Sequence, residues 1–241
     1  MAVVAAALVI GVTKTGIPGI GILAVTLLAT AMPENTKLSV GAMLPMLIVA
    51  DVFAVIYYRR KAQWKYLWRI LPPAAVGIVI GWGVMGWISD PALKRFIGGL
   101  VIALLTLQVL RDRGVLAGMS IPHHWAFAWS LGLLAGVVTF LSNAAGPIVI
   151  VFMLAMRMDR FQFIGTIAWY FMMLNWFKVP LFVHRQMITP DTLLFDLKLV
   201  PVILVGAAAG LLAPKWIPEK PFRYVIMTLA AAAAVRLLVS G

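Results

Sequence analysis

The chain contains no cysteine, only three histidines and only eight acidic residues among its 241. The absence of cysteine excludes disulfides, thiolate metal sites and cysteine nucleophiles. His123 and His124 are sequence neighbours, so they do not share one helix face. No metal site, phosphate-binding loop or nucleophile–base pair can be assembled from the remaining residues. The sequence therefore predicts no metal, no cofactor and no enzyme.

Charge is also scarce, since 12% of the residues are charged and 63% are hydrophobic. So much apolar surface cannot be buried in the core of a soluble domain, and the composition predicts an all-α polytopic membrane protein. The net charge of +12 comes from short basic clusters between apolar runs, which is the pattern of topology signals. Because there is no continuous basic stripe, nucleic acid is not an expected partner.

The apolar sequence is divided into ten runs, which cover about residues 3–12, 17–31, 38–58, 66–88, 93–110, 125–141, 148–156, 161–183, 193–213 and 222–239. Six of them approach the roughly 20 residues that cross a bilayer. The other four, mostly shorter, flank two polar breaks. The first break has the sequence TKTGIPGIG at residues 13–21, and the second has SNAAGP at residues 142–147.

Both breaks contain glycine and proline, which interrupt regular helix. The backbone groups that such a break frees cannot face lipid, so they must be buried in protein or line a watery cavity. A helix that restarts after a break presents unpaired N–H groups and a partial positive charge at its first turn. We therefore expect the two breaks to face each other near the bilayer midplane and to bind a small anion.

The two halves of the sequence are similar to each other. At an offset of 129 residues, Thr13, Lys14 and Pro18 correspond to Ser142, Asn143 and Pro147, and Pro72, Gly77, Gly81, Trp87 and Ile88 correspond to Pro201, Gly206, Gly210, Trp216 and Ile217. At an offset of 124, Gly41 and Asp51 correspond to Gly165 and Asn175. An internal duplication is the interpretation, with a first membrane repeat at 1–113, a linker at 114–124 and a second repeat at 125–241.

The orientation of the repeats depends on how the breaks cross the membrane. If each break is the tip of a re-entrant hairpin, each half crosses three times, the repeats are inverted, and 12 basic residues lie on the cytoplasmic side against six outside. If each break interrupts a single crossing, the repeats are parallel and the split is ten against eight. The positive-inside rule favours inverted repeats with hairpins. Hydropathy alone favours eight crossings, so the second arrangement stays open.

Three ionisable residues lie inside apolar sequence, namely Lys14, Asp51 and Lys178. Charge is costly at that depth, so each is a candidate for function. The alternative for either lysine is an ammonium that reaches back to the membrane surface along its flexible chain. For Asp51 the sequence allows three roles: pairing with a lysine, carrying a coupling proton, or lying near a helix end.

The expected substrate-binding residues come from the two breaks and from the helix that carries Lys178. Asn175 and Lys178 are three residues apart and share a helix face. The alternative for the second break is a polar kink that packs two helices. The complete predicted set is Thr13, Lys14, Thr15, Gly16, Gly19, Ser142, Asn143, Gly146, Asn175 and Lys178, with Asp51 for proton coupling.

At these residues the sequence resembles the TauE/SafE sulfite exporter family of bacterial membrane proteins. The resemblance lies in KTGIPG at residues 14–19, SNAAGP at 142–147, Gly165-Thr166, and NWFKVPL at 175–181. It covers essentially the whole chain. The resemblance implies a duplicated transporter of sulfur-containing anions in the bacterial cytoplasmic membrane, with the motif positions near the substrate.

The expected function is therefore export of a small sulfur-containing oxyanion, sulfite or an organosulfonate such as sulfoacetate, by alternating access with or without protons. The expected partners are this anion and the lipid bilayer. A passive anion channel is the first alternative. An intramembrane enzyme acting on lipid-linked phosphate is the second, and it would need several acidic or histidine groups at one mouth.

Overall fold

The structure is a computed structural model that describes residues 1–16, 20–32, 35–114, 125–156, 158, 160–216 and 219–240. These residues form ten helices and no strand, which confirms the all-α prediction. The helices are α1 (Ala2–Thr15), α2 (Gly21–Ala31), α3 (Thr36–Tyr58), α4 (Trp64–Met85), α5 (Asp90–Asp112), α6 (Trp125–Ser142), α7 (Gly146–Ala155), α8 (Arg160–His184), α9 (Pro190–Trp216) and α10 (Glu219–Ser240).

Five helical segments of the described chain are long and apolar enough to cross a membrane. They are Thr36–Tyr58, Trp64–Met85, Trp125–Ser142, Phe161–His184 and Pro190–Leu212. Four of these match long runs predicted from the sequence. The run at 125–141, expected to be a shorter hairpin arm, also reaches spanning length as α6. The long runs at 93–110 and 222–239 are helical as α5 and α10, but they are not among these five segments.

Helices α1 and α9 pack so closely that their backbones touch. A side chain on Gly11 would collide with the backbone carbonyl of Ile203, and one on Gly206 would collide with the carbonyl of Leu8. Small residues allow this close approach. Lipid provides little hydrophobic driving force between helices, so the pair is stabilised by dense van der Waals contact instead. The two helices run parallel, since Gly16 in turn lies against Gly210, further along both.

Helices α4 and α6 form a second pair of the same kind. Gly136 lies against the carbonyl of Ala74, and Gly77 lies against the carbonyl of Leu133. These contacts repeat those of the first pair at constant spacing in the sequence. Each contacting residue of α6 is 125 positions after its equivalent in α1, and each contacting residue of α9 is 129 positions after its equivalent in α4. Each tight pair therefore joins a helix of the first sequence half to a helix of the second.

Helices α3 and α8 pack antiparallel between these pairs. Their contacts run in opposite order along α3 and along α8 with the turn that follows it: Gly41 lies against Met187, Asp51 is bonded to Asn175, and Gly165 lies against Tyr58. The bond between Asp51 and Asn175 is thus near the middle of the pair. Proline inside both helices, Pro45 and Pro180, leaves carbonyls without their usual helical donor.

Two glycines of α4 allow the close packing of α4 against α6 to be tested, because one lies at the contact and the other does not. Alanine at Gly77 is expected to lower stability by about 1–3 kcal/mol, because its Cβ meets backbone that cannot rotate away. Alanine at Gly83 has open space around its Cβ and gains helix propensity of up to about 1 kcal/mol. Thermal unfolding of both variants in the same detergent measures the difference. Equal melting temperatures would contradict this packing.

Candidate functional site

The first break is held by hydrogen bonds at the end of α1. The Thr15 hydroxyl donates to the carbonyl of Ala207 at 2.7 Å, and the Tyr58 hydroxyl donates to the carbonyl of Thr15 at 3.0 Å. A carbonyl at a helix end has no intrahelical donor, so the tyrosine supplies one from α3. Thr15 and Gly16 are both buried in this arrangement. They anchor the end of α1 so that Lys14, one residue earlier, is fixed in place.

The ammonium of Lys14 lies between an acid and an aromatic ring. Its Nζ is 2.7 Å from Oδ1 of Asp51 and 4.2 Å from the ring centroid of Phe171. The second carboxylate oxygen of Asp51 accepts a 2.6 Å hydrogen bond from the Asn175 amide. The Lys14 side chain is only 10% exposed, and that of Asp51 is fully buried. The structure thus shows Asp51 paired with a lysine, which is one of the three roles considered for it.

The second break turns at Asn143, whose φ is 56°. Asparagine tolerates this left-handed backbone conformation better than most residues, which explains its position directly after α6. Its Nδ2 donates to the carbonyl of Val40 at 2.9 Å. The preceding Ser142 hydroxyl donates to the carbonyl of Val138 at 2.9 Å and accepts from the amide of Ala144 at 3.3 Å. Ser142 therefore stabilises the turn and is itself fully buried.

Lys178 is fully buried behind the second break. Its Nζ donates to Oδ1 of Asn143 at 2.7 Å and to the carbonyl and hydroxyl oxygens of Thr139, both at 3.2 Å. All three acceptors are neutral. A buried ammonium held only by neutral oxygens is costly, and such groups in membrane proteins mark functional positions. This lysine does not reach back to the membrane surface.

Both breaks open onto one cavity between the helices. Its volume is about 780 Å³ when the space at its open mouth is included. Its polar lining consists of Thr13, Lys14, Thr139, Asn143 and Asn175. The first residues of α2, Gly21 and Ile22, and of α7, Gly146 and Pro147, also line it. Two helix N-termini are therefore presented to the same space.

Five of the predicted binding residues line this cavity, namely Thr13, Lys14, Asn143, Gly146 and Asn175. Thr15, Gly16, Ser142 and Lys178 are not part of the lining and instead support it from behind. Gly19 lies outside the described residues. The two breaks also contact different heights of α3. The carbonyl of Thr15 accepts a hydrogen bond from Tyr58, the last residue of α3, whereas Asn143 donates to Val40, near the first turn of α3.

The family motif at 165–166 has a different position from the others. Gly165 packs against the carbonyl of Tyr58, and the Thr166 hydroxyl accepts a 2.9 Å hydrogen bond from the amide of Gln63. This motif fastens α8 to the connection between α3 and α4. In the motif at 175–181, Trp176 and Phe177 are exposed on the outside of the helix bundle. Only Asn175 of that motif reaches the cavity.

Two important lining residues were not predicted from the sequence. Thr139 precedes Asn143 by four residues, so it lies on the same face of α6, and helical spacing could have indicated it. Phe171 stands in the same relation to Asn175 on α8. In a strongly apolar sequence, however, a threonine or a phenylalanine usually packs against a neighbouring helix.

A bundle of membrane-spanning helices, interrupted at two points around a cavity with a buried lysine, is the architecture of a membrane transporter. The profile of the family described as sulfite exporter TauE/SafE matches residues 3–237. The chain belongs to this family. It is a multi-pass membrane transport protein of the sulfite exporter type, and its partner is a small anion. Transport agrees with the expectation that the chain is not an enzyme. No curated protein and no solved structure matches it significantly.

Proposed function

We propose that this protein exports a small sulfur oxyanion, sulfite or an organosulfonate such as sulfoacetate, across the bacterial cytoplasmic membrane by alternating access. The observation that carries the proposal is the shared cavity, into which both broken helices direct their N-termini and Lys14 its ammonium. Helix N-termini and a lysine together favour a negatively charged occupant. The anionic group would bind between Lys14 and the first turn of α7, where Asn143 offers its second amide hydrogen.

The apolar wall of the cavity favours an organosulfonate over bare sulfite. Facing the polar groups are Met43, Leu47, Ile150, Ile164, Ile167 and Phe171. An anion with no carbon would leave this surface wet. A short carbon chain would displace that water and gain roughly 0.8 kcal/mol for each methylene it buries.

The repeat proposed from the sequence gains support from helix packing, with a changed register. The contacts of α1 on α9 and of α6 on α4 relate α1 to α6 by 125 residues, so the counterpart of Lys14 is Thr139 and no longer Asn143. Thr139 and Asn143 are the two residues that accept hydrogen bonds from Lys178 Nζ. The amino group of Lys178 thus contacts the residue that corresponds to Lys14, although the two lysines come from helices that do not correspond.

Inverted repeats are the arrangement that best accommodates these contacts. The predicted counterparts Asp51 and Asn175 are bonded to each other, and the helices that carry them run antiparallel. Counterpart helices that cross in opposite directions are the mark of inverted repeats. This supports re-entrant hairpins at the two breaks and a division into repeats at 1–113 and 125–241, with the linker at 114–124 between them.

Proton coupling through Asp51 follows from the competition for Lys14. A substrate anion that binds the ammonium takes the place of the carboxylate, which then loses its ionic partner in a dry interior. Uptake of a proton by Asp51 would remove that cost. A passive channel lacks this coupling. Catalysis on lipid-linked phosphate is disfavoured because the polar lining of the described cavity contains no acid or histidine.

Flux measurements in proteoliposomes test the function directly. Vesicles loaded with sulfite, sulfate, thiosulfate, taurine or sulfoacetate are compared at two proton gradients. Saturable efflux of sulfite or sulfoacetate is expected, faster under one gradient, and the D51N variant is expected to keep efflux while losing the gradient dependence. Conductive single-channel currents would support the channel instead. Saturable flux without any response to the gradient would remove the coupling but keep the transporter.

A further inference from the structure

A cluster of cationic and aromatic side chains lies at the C-terminal ends of α4 and α8, apart from the transport cavity. The guanidinium carbon of Arg185 is 4.8 Å from the ring centroid of Trp82, and the ring of His184 is 5.6 Å from the same indole. None of these three residues lines the cavity. By the positive-inside pattern, this end of the helices faces outward.

The position of Arg185 is fixed by the end of α4. Its Nη2 donates to the carbonyl of Trp82 at 2.9 Å, which is one of the carbonyls left free at the helix end. Gly86 lies directly beneath the guanidinium, and any side chain there would collide with it. A helix C-terminus attracts a cation, so this one contact has a structural explanation.

The other donors of the cluster have no such explanation. Arg185 Nε and Trp82 Nε1 are both buried, and neither has a hydrogen-bond acceptor in the described part of the chain. Nor does any carboxylate among those residues lie within ion-pair distance of Arg185. Buried N–H groups are nearly always paired in folded proteins. Two unpaired donors on side chains in direct contact, one of them cationic, favour an acceptor that carries negative charge.

We propose that this cluster, formed by Trp82, His184 and Arg185, binds a tetrahedral oxyanion through Arg185 Nε and Trp82 Nε1. Such an anion carries several acceptor oxygens, and arginine recognises phosphate and similar groups especially well. The chemistry fits the phosphodiester of a lipid headgroup, because Val84, Trp87 and Val183, which neighbour these residues in the sequence, are exposed apolar side chains. It equally fits a free oxyanion on its way out of the protein. The site is independent of which anion the central cavity carries.

Binding to purified protein in detergent distinguishes the two sources. The probes are dioctanoyl phosphatidylglycerol, dioctanoylglycerol as the same chains without phosphate, and sodium phosphate and sodium sulfite. Thermal shift measures saturation for each probe. Saturable binding of the phospholipid but not of dioctanoylglycerol identifies a lipid phosphate. Saturation by the inorganic anions alone identifies a free oxyanion.

Two tryptophan variants at the same end of α4 make the test specific. W82F keeps an aromatic ring under Arg185 but removes the unpaired N–H, so the affinity is expected to fall about tenfold. W87F removes the same group from a side chain that is 93% exposed, and it is expected to bind like the wild type. R185Q should weaken binding further. The proposal is overturned if no probe saturates, or if W82F and W87F bind equally well. Efflux through the central cavity is measured separately and does not decide this outcome.

Discussion

Replacing Lys14 with alanine is expected to abolish export and to weaken the fold at once. The ammonium is the positive group that reaches the cavity directly from the first break, and its loss leaves Asp51 fully buried without an ionic partner. A charge-assisted contact of about 3 kcal/mol corresponds to roughly a hundredfold loss of sulfite efflux from loaded vesicles. The unpaired carboxylate should lower the stability by a further 3–5 kcal/mol, about what breaking a buried ion pair costs.

A second substitution separates these two effects. In the double variant K14A/D51N, the asparagine carries no charge that needs a partner and still reaches the Asn175 amide. The melting temperature is expected to return close to that of the wild type, whereas efflux should stay at background. If the double variant transports, Lys14 serves only to neutralise Asp51 and does not bind substrate. Unchanged efflux in the single K14A variant would remove Lys14 from the site altogether.

Replacing Lys178 with methionine is expected to lower export without lowering the stability of the protein. Export should fall at least tenfold, because the second ammonium near the cavity is lost together with the contact that orients Asn143. Stability should stay the same or rise, since methionine occupies a similar volume without the cost of burying an unpaired charge. The two quantities are measured by vesicle efflux and by thermal unfolding of the same preparation.

The control for this variant is K198M, which removes an exposed ammonium from α9. It should leave both export and melting temperature near the wild-type values. A K178M protein that fails to fold would show that Lys178 is needed for structure, through Thr139 and Asn143. A K178M protein that folds and transports normally would refute the role proposed for it.

The sequence was sufficient to predict helices and breaks because both depend on local chemistry. Long apolar runs have few stable forms in lipid other than helix, and glycine with proline interrupts helix wherever it occurs. The same reasoning found Lys14, Asn143 and Asn175, since buried polar groups are conspicuous in apolar sequence. Side-chain roles within a break were less predictable. Thr15 and Ser142 satisfy nearby backbone groups, which their residue type alone did not distinguish from ligand binding.

What the sequence could not provide is the relation between distant helices. The match of Lys14 with Asn143 was based on the polar breaks, but the register of a helix is determined by its packing partner. In the repeat that we propose, the glycine contacts with α9 and α4 move that match by one helical turn, to Thr139. Likewise, the pairing of Lys14 with Asp51 requires knowing that the end of α1 lies beside the middle of α3.

The two glycine-mediated pairs have a consequence for how the protein can move. Because α1 is joined to α9 and α4 to α6 through backbone contacts, the first and second sequence halves are interlocked. A conformational change that separated the halves would have to break both pairs. In the alternating-access cycle that we propose, the bodies that shift against each other must therefore each contain helices from both halves, and the boundary between them does not follow the order of the chain. For the same reason, neither half expressed alone would have a partner for its glycine-rich surface, whereas the two halves produced together could assemble.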